Sequence, residues 1–359
     1  MTRKLLLASI AALAIASPAY AAPLVGTDAL REWNLIVLGD LQSSSEVEGR
    51  TFVGGNLTGN SSNYQIGTPS ASISGEPGLT VVGDVTGGAK NLNNGSGAIV
   101  GGNVDSGFNL NGATQTVQVG GTISNTNVNQ NTVQSGLAAS DPNFTADLNQ
   151  QKSLLVSSLT DLSTTMAGMT SNSAVTISGN RATFDAAPNS DGVAVFNLTS
   201  ADLDKIGEIQ FNLNGANTAI VNVSGSNITL NDNFLGGTQG LGEHVIWNFS
   251  DATSLNLTTA WGGSVLAPTA AATTSNYVQG SAVFGSLVQN GEFHLGTYDG
   301  DYYPPSTPPS SSSSSGGATP VPEGSELPIL LFGVTGLLLG RRMSRRLRGA
   351  PGTLGEQQA

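Results

Sequence analysis

Gly83-Asp84-Val85, Gly102-Asn103-Val104 and Gly121-Thr122-Ile123 recur at intervals of 19 residues, and in step with them run Asn91-Leu92-Asn93, Asn109-Leu110-Asn111 and Asn127-Val128-Asn129 at intervals of 18. Two motifs sharing one period mark a repeat that stacks on itself. Short apolar triplets between Gly, Asn and Asp corners are a β signature. The pattern predicts a mainly β fold, a right-handed β-solenoid with about 18–19 residues per turn. Side chains alternate along a strand, so Leu92, Leu110 and Val128 are expected to stack inside. Asn91, Asn93, Asn109, Asn111, Asn127 and Asn129 then point outward. Rungs lie about 4.8 Å apart, close enough for amides to bond along the axis, and this ladder is the candidate binding face.

Earlier copies, Gly39-Asp40-Leu41 and Gly55-Asn56-Leu57, extend the repeat toward the N-terminus. The 28-residue step from Gly55 to Gly83 predicts an inserted loop holding Tyr64 and Pro69. Beyond the ladder, Phe144, Leu148, Leu155, Leu159, Leu162 and Met166 are spaced for one helical stripe. A helix is predicted over about 141–167, flanking the coil, with Asp141 as its cap and Pro142 as its first residue. Short β segments then resume at 193–198, 209–213, 219–223, 228–230, 245–249 and 283–288, so one domain is expected over 22–303.

Composition narrows the chemistry. Of 359 residues 47 are glycine and none is cysteine, which excludes disulfides, thiolate nucleophiles and zinc–thiolate sites. Between Ala22 and Gly340 six basic residues stand against 24 acidic ones. A body so acidic repels phosphate backbones, so nucleic acid is not an expected partner.

The two ends read as addresses. Residues 1–21 have a basic start, an apolar run and Ala19-Tyr20-Ala21, the order of a secretory signal cleaved between Ala21 and Ala22. Residues 304–320 are a Pro/Ser linker. Pro322 and Glu323 follow, then an apolar run over 327–340 and the cluster Arg341, Arg342, Arg345 and Arg346. A short apolar helix backed by arginines is expected to tether the chain to the inner membrane, with the cluster on the cytoplasmic side. The block over 321–348 resembles the PEP-CTERM sorting signal of Gram-negative bacteria, with Gly324 at the third motif position; residues 349–359 form a tail. That resemblance implies an exosortase-type processing enzyme as a partner.

No nucleophile elbow, HExxH, Walker loop, dinucleotide fingerprint or EF-hand loop is present. Glu292 and His294 share a strand face as a surface pair, and Asp299-Gly300-Asp301 is the segment that would feed a calcium site. No cofactor is otherwise expected, and no residue is nominated as catalytic.

Asn34 to Leu41, Val47-Glu48-Gly49-Arg50 and Val53 to Leu57, with the closing blocks Ile246 to Phe249, Gly263 to Pro268 and Gly291 to His294, resemble the choice-of-anchor A domain. The resemblance covers roughly 28–303. It implies a non-catalytic adhesive domain at the surface or in the extracellular matrix of a Gram-negative bacterium, with extracellular polysaccharide or another matrix polymer as partner. The closing block also resembles ice-binding β-solenoids, which makes ice the alternative ligand. A polysaccharide lyase or hydrolase is the remaining alternative.

Overall fold

The structure, a computed structural model, describes residues 24–304. The cleavage pair Ala21 and Ala22, the linker from 305, Pro322, Glu323, the 327–340 run and the arginine cluster lie outside the described residues. Among the described residues no helix is long and apolar enough to cross a membrane.

The scaffold is mainly β with few helices. Its largest sheet has along its path β1 (Leu35–Val37), β2 (Thr51–Val53), β3 (Leu79–Val81), β4 (Ala98–Val100), β5 (Thr116–Val119) and β6 (Thr132–Gln134) from the first half. The second half adds β7 (Val193–Thr199), β8 (Thr218–Ser224), β9 (Val245–Asn248), β10 (Ser264–Thr274) and β11 (Ala282–Gln289). The order is β6-β5-β4-β3-β2-β1-β11-β10-β9-β8-β7, and neighbours along this path run parallel. A second, seven-stranded sheet repeats this progression, from Phe108–Leu110 through Glu46–Val47 and Phe293–His294 to Trp261–Gly262. The arrangement is compatible with a β-helix or solenoid.

The chain therefore starts in the middle of the stack. It coils outward to β6, crosses to the far end, and coils back until β11 docks on β1, Ile36 beside Val283. The crossing is made by the helix Phe144–Ala167. Its 24 residues span about 36 Å. The ten steps between β6 and β7 need about 48 Å at the usual strand spacing, so the helix supplies most of the return. Parallel strands require such long connections.

The predicted stripe is the buried one: Phe144, Leu148, Leu155, Leu159, Leu162 and Met166. The residues from Leu155 onward pack on the outer side of the large sheet against Ile36, Phe52, Ile220, Ile246, Leu266 and Val283. The opposite side of the same strands faces the interior, through Val37, Val53, Val81, Val100, Val221 and Val265. A sheet covered on both sides explains why these strands read as unbroken apolar runs rather than alternating ones. The start of the helix differs from expectation. Asp141 instead accepts from the backbone of Asn143 at 2.9 Å, an Asx turn that delays the helix to Phe144.

The Gly-Asp/Asn corners form a continuous ladder. Asp40 Oδ1 accepts from Asn56 N at 2.8 Å, Asn56 Oδ1 from Asp84 N at 2.9 Å, Asp84 Oδ1 from Asn103 N at 2.6 Å, and Asn103 Oδ1 from Thr122 N at 2.9 Å. Each glycine is required because a Cβ there would strike the oxygen reaching up from the rung below. Gly55 meets Asp40 Oδ1 in this way, Gly83 meets Asn56, Gly102 meets Asp84 and Gly121 meets Asn103.

Two expectations are corrected. Tyr64 lies in a strand, not the inserted loop; its ring is fully buried and burial pushes its pKa up to about 12. Its apolar ring fills the interior while its hydroxyl pairs with Ser62 at 3.1 Å. The loop runs from about 66 to 78 and is held down by Glu32, which accepts from the Ser72 hydroxyl and from Ile73 N at 2.9 Å. Val128 is 43 % exposed rather than stacked, because the last coil has no neighbour to close over it.

Lys90 sits inside the wall, fully buried, with Nζ donating to the carbonyls of Asn60 at 2.6 Å, Thr58 at 3.3 Å and Gly59 at 3.4 Å. Burial pulls its pKa down to about 8. Lys90→Met should lower stability by about 2 kcal/mol, since the corner carbonyls lose their donor. Denaturant melts compared at pH 7 check this, and an unchanged midpoint would contradict it.

Candidate binding faces

The second sheet turns one side to solvent. Glu46 registers with Asn63, Asn63 with Asn91, and Asn91 with Asn109, a single column across four rungs. The column is hydrogen-bonded at its two outer steps, where Asn63 Nδ2 donates to Glu46 at 2.9 Å and Asn109 Nδ2 to Asn91 Oδ1 at 2.8 Å; at the middle step Asn91 Nδ2 donates to the Ser62 carbonyl at 3.3 Å. Two residues on, Asn111 Nδ2 donates to Asn93 Oδ1 at 3.1 Å. The structure thus joins four of the six expected asparagines. Asn127 and Asn129 are exposed but make no bond to the column, because the chain leaves the sheet there: Phe108 N donates to Thr126 Oγ1 at 2.9 Å, and Asn131 N donates to the Val128 carbonyl to close a turn.

Beyond Glu46 the strip crosses the seam between the two halves, where Val47 registers with Phe293. Here Glu292 and His294, expected to share a face, make a 2.9 Å contact between Oε2 and Nε2. The imidazole stacks on Tyr277 with centroids 4.5 Å apart and planes 11° from parallel. Glu46, Asn63 and Tyr277 were not found from the sequence. The strand that holds Asn63 breaks the 18-residue spacing, and the seam joins residues some 250 apart.

A second open face follows the glycine corners. Thr229, Asn256, Thr273, Val288, Gln42 and Thr58 register in one column, and Asn227, Ser254, Ala271 and Ser286 in the next. No charged side chain stands in either set. Polar and methyl groups therefore repeat at about 4.8 Å across strands and about 6.7 Å along them.

Charge is one-sided. In 24–304 six basic residues meet 22 acidic ones. Four of the six are held in ion pairs: Arg31 with Asp28 at 2.8 Å, Arg50 with Glu32 at 3.4 Å, Arg181 with Glu208 at 3.0 Å and Lys205 with Asp202 at 3.1 Å. Lys90 is internal. Asp301 accepts from Asn217 at 3.1 Å, and among the described residues no group of three or more acidic or histidine side chains is placed to hold a metal ion.

Both ends of the described chain emerge beside the helix. Thr27 Oγ1 donates to Tyr302 O at 3.0 Å, and the Arg31 guanidinium lies 4.4 Å from the Tyr303 ring centroid. Tyr298 and Tyr302 join the cluster beneath the helix. The strip and the charge-free face belong to the other walls.

An extended, parallel-stranded scaffold presenting polar columns belongs to the class of repetitive β modules. Residues 26–295 match the family described as "Putative Ice-binding-like adhesive domain", and the chain belongs to that family. An adhesive domain points to a surface or extracellular location. No curated protein and no solved structure gives a match.

Proposed function

We propose that this chain is an exported, membrane-tethered surface adhesin of the choice-of-anchor A type, a non-catalytic module that holds extracellular polysaccharide or another matrix polymer. In this reading the scaffold is a right-handed β-solenoid of about 18–19 residues per turn, and Pro322, Glu323 and the arginine cluster form a PEP-CTERM-like anchor for an exosortase-type enzyme at the inner membrane. The observation that carries it is the asparagine column, whose amides repeat at the rung spacing beside the Tyr277–His294 stack. A regular polar array next to an aromatic platform suits a repeating hydroxylated polymer. The acidic balance favours a neutral or cationic polymer over an anionic one, unless calcium bridges the two.

Retention of the purified chain on the producing cell's own exopolysaccharide, with cellulose and polyuronate as controls and with calcium varied, tests the reading. Asn91→Ala with Asn109→Ala should cut retention at least tenfold without moving the melting point. Retention on none of the polymers, or retention indifferent to this pair, would overturn it.

The charge-free face supports a second reading, ice binding. Its two-dimensional repeat of hydroxyl, amide and methyl groups can order water. Thermal hysteresis abolished by Thr273→Lys would carry that reading, and absence of hysteresis would remove it.

A further inference from the structure

The two ends of the stack are finished differently. At the β7 end a short helix, Ser200–Leu203, packs against β7 and Asn227–Leu230, with Thr199 and Asp202 closing a capping box. Leu203 and Ile206 fill the interior there. The outer edge of β7 is sealed by the chain before it: Asn172 N donates to the Val195 carbonyl at 3.2 Å, and Asn172 Oδ1 accepts from Val195 N at 2.7 Å.

At the β6 end, among the described residues, no strand pairs with the outer edge of β6. Thr132 and Gln134 are exposed, Ile123 and Val133 are only partly buried, and Val128 is open to solvent. A stacked repeat needs a polar cap over such an end to stay soluble alone. Nor is the edge blunted by charge or proline, as free edges usually are. From Ser106 to Ser140 there is no charged residue, histidine or proline, in a body with 22 acidic side chains. Acidic surfaces hold copies of this chain apart elsewhere, and this end carries no such repulsion.

The backbone says what fits. Thr132 N donates to the Gln115 carbonyl at 3.0 Å. Parallel pairing alternates along a strand, so the N–H and carbonyl of Val133 turn to the open side. A second copy turned about a two-fold axis at Val133 supplies an antiparallel strand that takes both bonds, and Thr132 of each copy then faces Gln134 of the other. These side chains are self-complementary: Gln134 Oε1 already accepts from Gln118 Nε2 at 3.2 Å, which leaves Gln134 Nε2 to donate to the facing Thr132 hydroxyl. A head-to-tail array would need the same sheet to be open at its other end, where β7 is sealed.

We propose that this uncapped end is a self-association surface, on which two copies of the chain meet end to end through an antiparallel Val133–Val133 pairing. One coil end is small beside the ~800 Å² that each partner buries in a standard interface, so the dimer is weak, half-formed at roughly 10–100 µM. Pairing is independent of the ligand, and it doubles the polar columns that a polymer meets.

Sedimentation velocity of the full-length chain in detergent, from about 1 to 200 µM, should show a monomer passing into a dimer. Thr132→Lys with Gln134→Lys sets like charges opposite each other and should weaken association at least tenfold at an unchanged melting point, because both side chains are exposed in the single chain. Thr132→Lys with Gln134→Glu sets opposite charges there and should restore it to within threefold. The chain has no cysteine, so Val133→Cys is a clean probe. Oxidised glutathione should link it copy to copy, since only a residue beside a two-fold axis meets its own counterpart at disulfide distance. Gln134→Cys, and Thr176→Cys on the exposed strand Ala174–Ser178 near the β7 end, should not link. A chain monomeric throughout, a dimer indifferent to the two lysines, or a Thr176→Cys link in place of the Val133→Cys one would overturn the proposal. So would exchange protection of the Val133 amide that is equal at both ends of the concentration range, because a segment of the same chain would then occupy the edge.

Discussion

Gly102→Ala is expected to destabilise the fold by about 3 kcal/mol, far more than its small change in volume suggests. The added Cβ would collide with Asp84 Oδ1 and with the backbone of Gly83, and neither is the free end of a flexible side chain. Asp84 Oδ1 is committed to Asn103 N at 2.6 Å, so moving it gives up one rung of the corner ladder. The Gly83 backbone is equally fixed, since Gly102 N bonds its carbonyl at 3.0 Å. Two controls rank the causes. Asp84→Asn keeps an accepting oxygen and should cost less than about 1 kcal/mol, whereas Asp84→Ala loses the acceptor and should cost about 1–2 kcal/mol. Denaturant melts would show the order, and amide exchange should place the loosening around residues 84–104. A Gly102→Ala protein as stable as Asp84→Asn would mean that the corner can relax and that the glycine is not sterically required.

That ladder was legible as a spacing before it was visible as a structure. Gly-Asp/Asn-apolar triplets recur because each coil must place the same oxygen under the next backbone amide, so one local rule leaves a periodic mark. The helix was legible for the same reason, its stripe being a local consequence of 3.6 residues per turn. The order of the strands was not legible. Leu35 beside Ala282 is a pairing of two apolar segments with no local feature to distinguish it from a neighbour such as Leu35 beside Thr51, and both occur. The second sheet shows the same limit. Asn91 and Asn109 share the period and were found, while Asn63 and Glu46 occupy the same column through an irregular step and were not. At the free end, Asn127, Val128 and Asn129 keep the motif but lack the next coil that gives it meaning. Lys90 was hidden for a different reason. Burial of a charged group depends on what the distant chain brings around it, and sequence spacing carries no record of that.

Asp232 should make the protein less stable as the pH rises from about 4 to 7, the opposite of ordinary acid denaturation. Its side chain is fully buried, and neither carboxylate oxygen has a hydrogen-bond partner in another residue. Its backbone carbonyl is satisfied, by Thr259 Oγ1 at 2.8 Å, which fixes the residue in place without helping the carboxylate. Burial, partly offset by its own backbone N–H and reinforced by the negative charge of Asp204, pushes the pKa up to about 7. The unfolded chain releases this proton near pH 4, so between pH 4 and 7 the folded state binds one more proton and stability falls with rising pH. Three units at 1.36 kcal/mol each set a ceiling of about 4 kcal/mol, and relaxation around the site brings the expected cost above pH 7 to about 2–4 kcal/mol. Asp232→Asn removes the charge at nearly constant volume and should recover that amount at pH 8 while changing little at pH 4. Glu76 is also raised, chiefly by burial, and slopes the same way. Asp202, held low by its bonds to Thr199 and Lys205, acts below pH 4 with the opposite sign. The difference between wild type and Asp232→Asn isolates the one group from both. Urea melts at pH 4, 6 and 8 read it directly, and a difference that stays flat across the three would show that Asp232 is ionised and solvated in the folded protein.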